Sequence, residues 1–159
     1  MAEERSFDAE KYLAICELFP ERELLDSISH FLTNRVYSRL TFTKWVDLTS
    51  TYRAYPDTHF VDEELHRHYS AFLEALGRLE GFAAANNKPL YTNKYLNPNS
   101  KDWDSNYMYV IKKPFDYIAD EDKALGEERK IEAEIEEIGD LVMSTYREFR
   151  DLVRMKLLI

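Results

Sequence analysis

The chemistry most readily built from this sequence lies in one short stretch, His59-Phe60-Val61-Asp62-Glu63-Glu64-Leu65-His66-Arg67-His68, which holds three of the chain's four histidines. If the stretch is helical from its start, His59, Glu63 and His66 stand at i, i+4 and i+7 and share a face. Two imidazoles with a carboxylate make a half-site for a divalent metal ion. The same residues also describe an ordinary helix start, with an acidic first turn and solvated histidines, or a contact that responds to pH.

Arg53 and His59 suggest a second chemistry. Their R-x5-H spacing is similar to that of HEPN ribonucleases, which are also small helical bundles, and the resemblance implies a ribonuclease with Arg53 and His59 as its catalytic pair. It covers two residues, and Pro56 between them interrupts the helical presentation that the family uses. Glu63-x-x-His66 likewise resembles one half of a ferritin-like di-iron pattern, but the second Glu-x-x-His that such a site needs does not occur in the chain.

Other routes to catalysis are excluded by what the chain lacks. All four glycines, Gly77, Gly81, Gly126 and Gly139, fall in predicted helices, so neither a Walker loop nor a dinucleotide fingerprint exists. Cys16 is the single cysteine and sits at an apolar helical position. It makes no zinc pair or internal disulfide, and fits a reducing, cytoplasmic setting. No cofactor is expected.

A third candidate is a charge pattern. Residues 86–114 carry Lys88, Lys94, Lys101, Lys112 and Lys113 against Asp102 and Asp104, interleaved with Tyr91, Tyr95, Trp103, Tyr107 and Tyr109. Residues 35–55 resemble them, with Arg35, Arg39, Lys44 and Arg53 against Asp47, plus Tyr37, Trp45, Tyr52 and Tyr55. Basic and aromatic residues so mixed suit single-stranded nucleic acid. They also suit a protein interface, where Tyr, Trp and Arg dominate. A third outlet is internal, because residues 116–140 hold eleven carboxylates against three basic groups.

Periodicity locates the elements that must position these groups. Tyr12, Ile15, Cys16 and Phe19 predict a short helix from about Asp8 to Phe19. Pro20 then suits the first position of a second helix carrying Leu24, Leu25, Ile28, Phe31 and Leu32. A helix is expected from about Thr43 to Arg53, although the run Leu40-Thr41-Phe42-Thr43 has strand propensity. Turn chemistry at residues 54–58 breaks the chain, and a long helix follows from Phe60 to Asn86. Residues 87–114 form an irregular insertion whose β-compatible runs, 90–96 and 107–111, are consistent with a hairpin.

The clearest signal is a heptad seam in a predicted helix from Ile118 to Leu158: Ile131, Ile135, Ile138, Val142, Thr145, Phe149 and Leu152 alternate spacings of four and three. Leu141, Tyr146 and Val153 widen the stripe beyond a two-stranded coiled coil and point to burial in a bundle. Gly139 within it predicts either a closely packed neighbouring helix or a bend.

A chain of 159 residues, 45% hydrophobic with four Gly and five Pro, fits one helical domain over residues 1–159. The expectation is a mainly α antiparallel bundle of four to five helices, with the 87–114 insertion before a long C-terminal helix. The net charge of −9 disfavours nucleic acid and anionic membranes on average, and no apolar run approaches a membrane span. A monomer or weak homodimer is expected. The preferred functional expectation is a non-enzymatic accessory module that meets a protein partner through Tyr91, Tyr95, Lys101, Trp103 and Tyr107. The enzymatic alternatives are the His59/Glu63/His66 metal site and the Arg53/His59 ribonuclease, and single-stranded nucleic-acid binding is a further one.

Overall fold

The computed structural model describes residues 2–89 and 108–159. The protein is mainly α, and five α-helices are present among the described residues: α1 (Ala2–Leu18), α2 (Glu21–Asn34), α3 (Arg39–Ala54), α4 (Glu63–Asn86) and α5 (Glu121–Leu157). Three short strands, β1 (Val36–Ser38), β2 (Asn87–Pro89) and β3 (Met108–Ile111), form an antiparallel sheet in the order β1-β3-β2.

The 37 residues of α5 make a rod about 55 Å long, against which the rest of the bundle is laid. Contacts rise in number along one helix as they fall along the other, which fixes the packing as antiparallel. On α4, Asp62 and Glu64 meet Lys156, Tyr69 meets Phe149, Phe72 meets Tyr146 and Arg78 meets Glu137. On the other side, Arg5 and Tyr12 of α1 meet Leu157 and Phe149, and Glu21, Leu32 and Arg35 meet Arg150, Gly139 and Glu128 in turn. Thus α1 and α2 run in the same direction and together cover most of α5, with Phe19-Pro20 as the joint. Pro20 precedes α2 as its cap instead of opening it.

The seam is buried at Ile135, Ile138, Val142, Phe149 and Leu152, joined by Tyr146 and Val153. Leu141, expected to widen the stripe, is instead 39% exposed, because the widening occurs on the side of Tyr146 and Val153, which faces α1 and α4. Gly139 is explained by close packing: a Cβ there would lie 3.0 Å from both methyl carbons of Leu32.

A second aromatic group lies under the sheet. Trp45 is fully buried against Phe31, Tyr37 and Phe42, and its indole N–H donates to Ser27 Oγ at 3.0 Å. Tyr37 stacks on Tyr109 across the β1–β3 pair and donates to the Ala83 carbonyl, tying the sheet to the end of α4.

Several boundaries differ from expectation for local reasons. The first helix starts six residues before Asp8, where no apolar period exists to reveal it. The Thr-rich run is helical because the Ser38 hydroxyl accepts the Thr41 N–H and caps α3. Arg35 ends α2 in the left-handed region (φ 57°), and the chain turns straight into β1. The insertion is more regular at its ends than expected: β2 and β3 pair there, and β3 also takes β1 as a partner.

Candidate functional site

The loop between α3 and α4 gathers most of the polar chemistry. Pro56 opens a 3-10 turn, Pro56–Thr58, and the chain then runs extended through His59 until Asp62 starts α4. Asp62 Oδ1 accepts the N–H groups of Glu64 and Leu65, satisfying two of the donors that a helix start leaves open. The helix therefore begins after His59, and the condition for a shared His59/Glu63/His66 face is not met.

The loop brings His59 and His66 together by another route, around Tyr52 of α3. Their ring centroids are 4.7 Å apart, and both rings lie against the Tyr52 phenol. His59 Nε2 donates to the Tyr52 carbonyl at 2.7 Å. Tyr52 Oη accepts the Phe60 N–H at 3.3 Å and lies 2.6 Å from His66 Nδ1. With one lone pair taken by Phe60, the phenol keeps its proton and a second lone pair, so it donates to a bare Nδ1 and accepts from a protonated one. Burial, with a smaller effect from His59, holds the His66 pKa below its ordinary value, and burial pushes Tyr52 up to about 12.

Glu63 is exposed and does not join this pair. Among the described residues, no three His, Cys, Asp or Glu side chains are grouped so as to hold a metal ion. Arg53 points elsewhere: its guanidinium is 3.4 Å from the position of a Cβ on Gly77, and it lowers the pKa of Glu80, although burial leaves that pKa raised overall. Gly77 is eleven residues beyond His66, about 16 Å along α4. The R-x5-H pair is therefore not assembled around a common point.

Two residues that the sequence did not single out fasten the loop. Asp8 of α1 is 1% exposed, and its carboxylate accepts the Val61 and Asp62 N–H groups at 2.7 and 2.9 Å. Lys11 donates to the His59 carbonyl. Asp8 did leave a trace, since it occupies the apolar face of α1 one turn before Tyr12. On the far side, Lys156 pairs with Asp62 and Glu64 at 2.7 and 2.9 Å. Burial opposes the Asp62 charge, but the Lys156 ammonium and the capping N–H groups outweigh it and hold its pKa below the usual carboxylate value. Four helices thus converge on one short loop.

The basic residues expected to face a ligand are partly used within the fold. Arg35 lies 2.6 Å from Glu128 and 3.9 Å from Glu132, and Lys88 is 2.9 Å from Asp116. Lys44 pairs with Glu23. Tyr91, Tyr95, Lys101, Trp103 and Tyr107 lie outside the described residues. The residues flanking them are placed, because Pro89 and Tyr109 face each other across the β2–β3 pair.

No helix among the described residues is long and apolar enough to cross a membrane. No family model, curated protein or solved structure matches the chain.

Proposed function

We propose that the protein is a non-enzymatic interaction module, which presents residues 90–107 to a protein partner from the edge of its small sheet. The observation that carries this reading is the pairing of Pro89 with Tyr109, which makes the segment leave and return at adjacent strands. The base is rigidly tied: Tyr37 stacks on Tyr109, Asn87 donates to Tyr37 Oη at 2.7 Å, and β3 is held on both edges. Segments attached to a fixed scaffold at both ends are a common place for recognition residues.

A protein partner suits the segment better than a nucleic acid. Residues 90–107 contain two lysines against two aspartates, so they bring no net positive charge to a phosphate backbone. Arg35 and Lys88 beside the sheet are already neutralised by carboxylates. Three tyrosines and Trp103 supply the large, partly polar side chains that anchor protein interfaces.

The test replaces residues 91–107 with Asn-Gly, a two-residue turn that closes an antiparallel pair. A companion variant carries Trp103→Ala with Lys101→Ala. Both are expected to keep the wild-type melting temperature and to lose co-purification of the native partner. Retention of the partner by the shortened chain would overturn the proposal. Binding of a single-stranded oligonucleotide that falls steeply with salt would replace it with the nucleic-acid alternative.

A further inference from the structure

Helix α1 carries apolar residues on two faces. Tyr12 and Phe19, with Cys16, pack into the core, while Phe7, Ala14 and Leu18 recur at i, i+7 and i+11 on another face and are exposed, Phe7 by 54% and Leu18 by 45%. That outer stripe borders a cleft of about 220 Å³ between α1 and α3. Lys11, Ala14 and Leu18 line one wall, and Leu48 and Thr51 the other. Tyr55, one turn beyond Thr51, is 58% exposed, and Phe7 lies under the Lys11 ammonium, so the apolar surface continues past the cleft on both helices. From Phe7 to Leu18 it runs about 16 Å, or three turns. Single exposed apolar side chains need no cause, but a row of them along a cleft marks a contact surface.

The edges of the cleft are acidic. Glu10 and Glu17 each stand within one turn of Ala14, and Asp47 is one turn before Thr51. All three are exposed, and none pairs with a cation among the described residues. Asp57 lines the mouth. The nearby lysines are engaged, Lys11 with the His59 carbonyl and Lys44 with Glu23.

We propose that the cleft between α1 and α3 docks a basic amphipathic helix of a partner protein, with its apolar face on Ala14, Leu18 and Leu48 and its Lys or Arg side chains beside Glu10, Glu17 and Asp47. Helices laid in grooves anchor through residues three and four apart, a spacing that three turns accommodate. Charge decides the class of partner. A second copy joined face to face would bring the same carboxylates to the contact, and like charges oppose it. This surface is separate from residues 90–107, which leave the sheet next to the start of α3.

The probe is a fluorescein-labelled helical peptide of about 14 residues, long enough to span the cleft, built from Leu and Lys alone. Its counterpart carries Glu in place of Lys. Polarisation titrations of the full-length protein should give a roughly micromolar Kd for the lysine peptide and no binding of the glutamate one. Combining Glu10→Gln, Glu17→Gln and Asp47→Asn should weaken binding about ten-fold. Combining Glu134→Gln, Glu148→Gln and Asp151→Asn, which removes the same charge from exposed positions on α5, should change it by less than about two-fold. Ala14→Trp, at an exposed position on the cleft wall, should abolish binding with the melting temperature unchanged. Replacing residues 91–107 with Asn-Gly should leave it intact. No binding of the lysine peptide, equal losses in the two triple variants, or binding retained by Ala14→Trp would overturn the proposal. Loss of binding on shortening residues 91–107 would overturn it by moving the site to the insertion, and a dimer that Ala14→Trp dissociates would overturn it by assigning the cleft to a second copy. Should Ala14→Trp fail to fold, the contrast between the triple variants still decides the matter.

Discussion

Tyr52 Oη and His66 Nδ1 are 2.6 Å apart, at the point where α3, α4 and the loop meet. The phenol accepts the Phe60 N–H with one lone pair and keeps its proton and a second lone pair, so it can meet His66 in either protonation state of the ring.

Acid should loosen the protein in a defined window through the burial of His66. The His66 pKa is lowered in the fold, by burial first and by His59 second. Between that lowered value and the ordinary value of about 6.5, the unfolded chain binds a proton that the folded chain does not, so stability falls as pH falls. Glu80, whose pKa burial raises, acts with the opposite sign, since the folded form then holds the extra proton. Urea midpoints should decline from pH 7.5 towards 5 in wild type and decline less in His66→Gln. The difference between the two proteins cancels Glu80. Parallel curves would assign the acid sensitivity to another group.

Tyr52→Phe tests the same junction at neutral pH. It orphans the nearly buried Phe60 N–H and removes the partner of His66, and an unsatisfied buried donor costs about 1–3 kcal/mol. A melting temperature within error of wild type would show that the loop is held without this hydroxyl.

Glycines inside the helices should separate by their surroundings. A Cβ on Gly81 or Gly126 meets nothing within 4 Å, so alanine there should stabilise by about 1 kcal/mol through helix propensity. At Gly139 the same gain is opposed by Leu32, whose methyl carbons stand 3.0 Å from the new Cβ. Gly139→Ala should be the least favourable of the three in denaturant titrations. Combining it with Leu32→Ala should recover the difference, because the two sites are in direct contact.

Substitutions along α5 should follow its geometry. Phe149 is 1% exposed amid Tyr12, Phe60 and Tyr69, and Phe149→Ala should cost about 3–5 kcal/mol. Ile135→Asp should unfold the protein by burying an unpaired charge. Leu141→Lys, at an exposed position, should stay within about 0.5 kcal/mol of wild type. Circular dichroism melts of the three check the orientation of the helix.

How much of this was legible depended on whether the cause was local. The α5 seam was visible because a heptad repeated over many turns outweighs single exceptions, and Gly139 stood out as the residue that interrupts good propensity. Strand β1 was not visible, since its three residues are extended by pairing with β3, more than seventy positions away. The His59–His66 contact was seen for the wrong geometric reason. The shared face required the stretch to be helical from His59, but α4 begins only at Glu63 behind its Asp62 cap, and the approach is made by the turn at Pro56 and the phenol of Tyr52. Tyr52 itself was hidden among the aromatic residues of its segment. Its role depends on which groups from α4 and the loop reach it.

Asp8 offers the sharpest separation of folding from local order. Its carboxylate is the only described partner of the Val61 and Asp62 N–H groups, although it sits on a different helix from the loop that it holds. Asp8→Ala removes a nearly buried carboxylate and leaves both part-buried donors without it, and should cost on the order of 2–4 kcal/mol. Asp8→Asn keeps one acceptor oxygen and places an amide donor against the second N–H, so it should recover only part of that loss. Amide hydrogen exchange should then quicken first at residues 59–65, ahead of the α5 core. Uniform quickening across the bundle would mean that Asp8 supports the whole fold, and that the loop has no separate stability of its own.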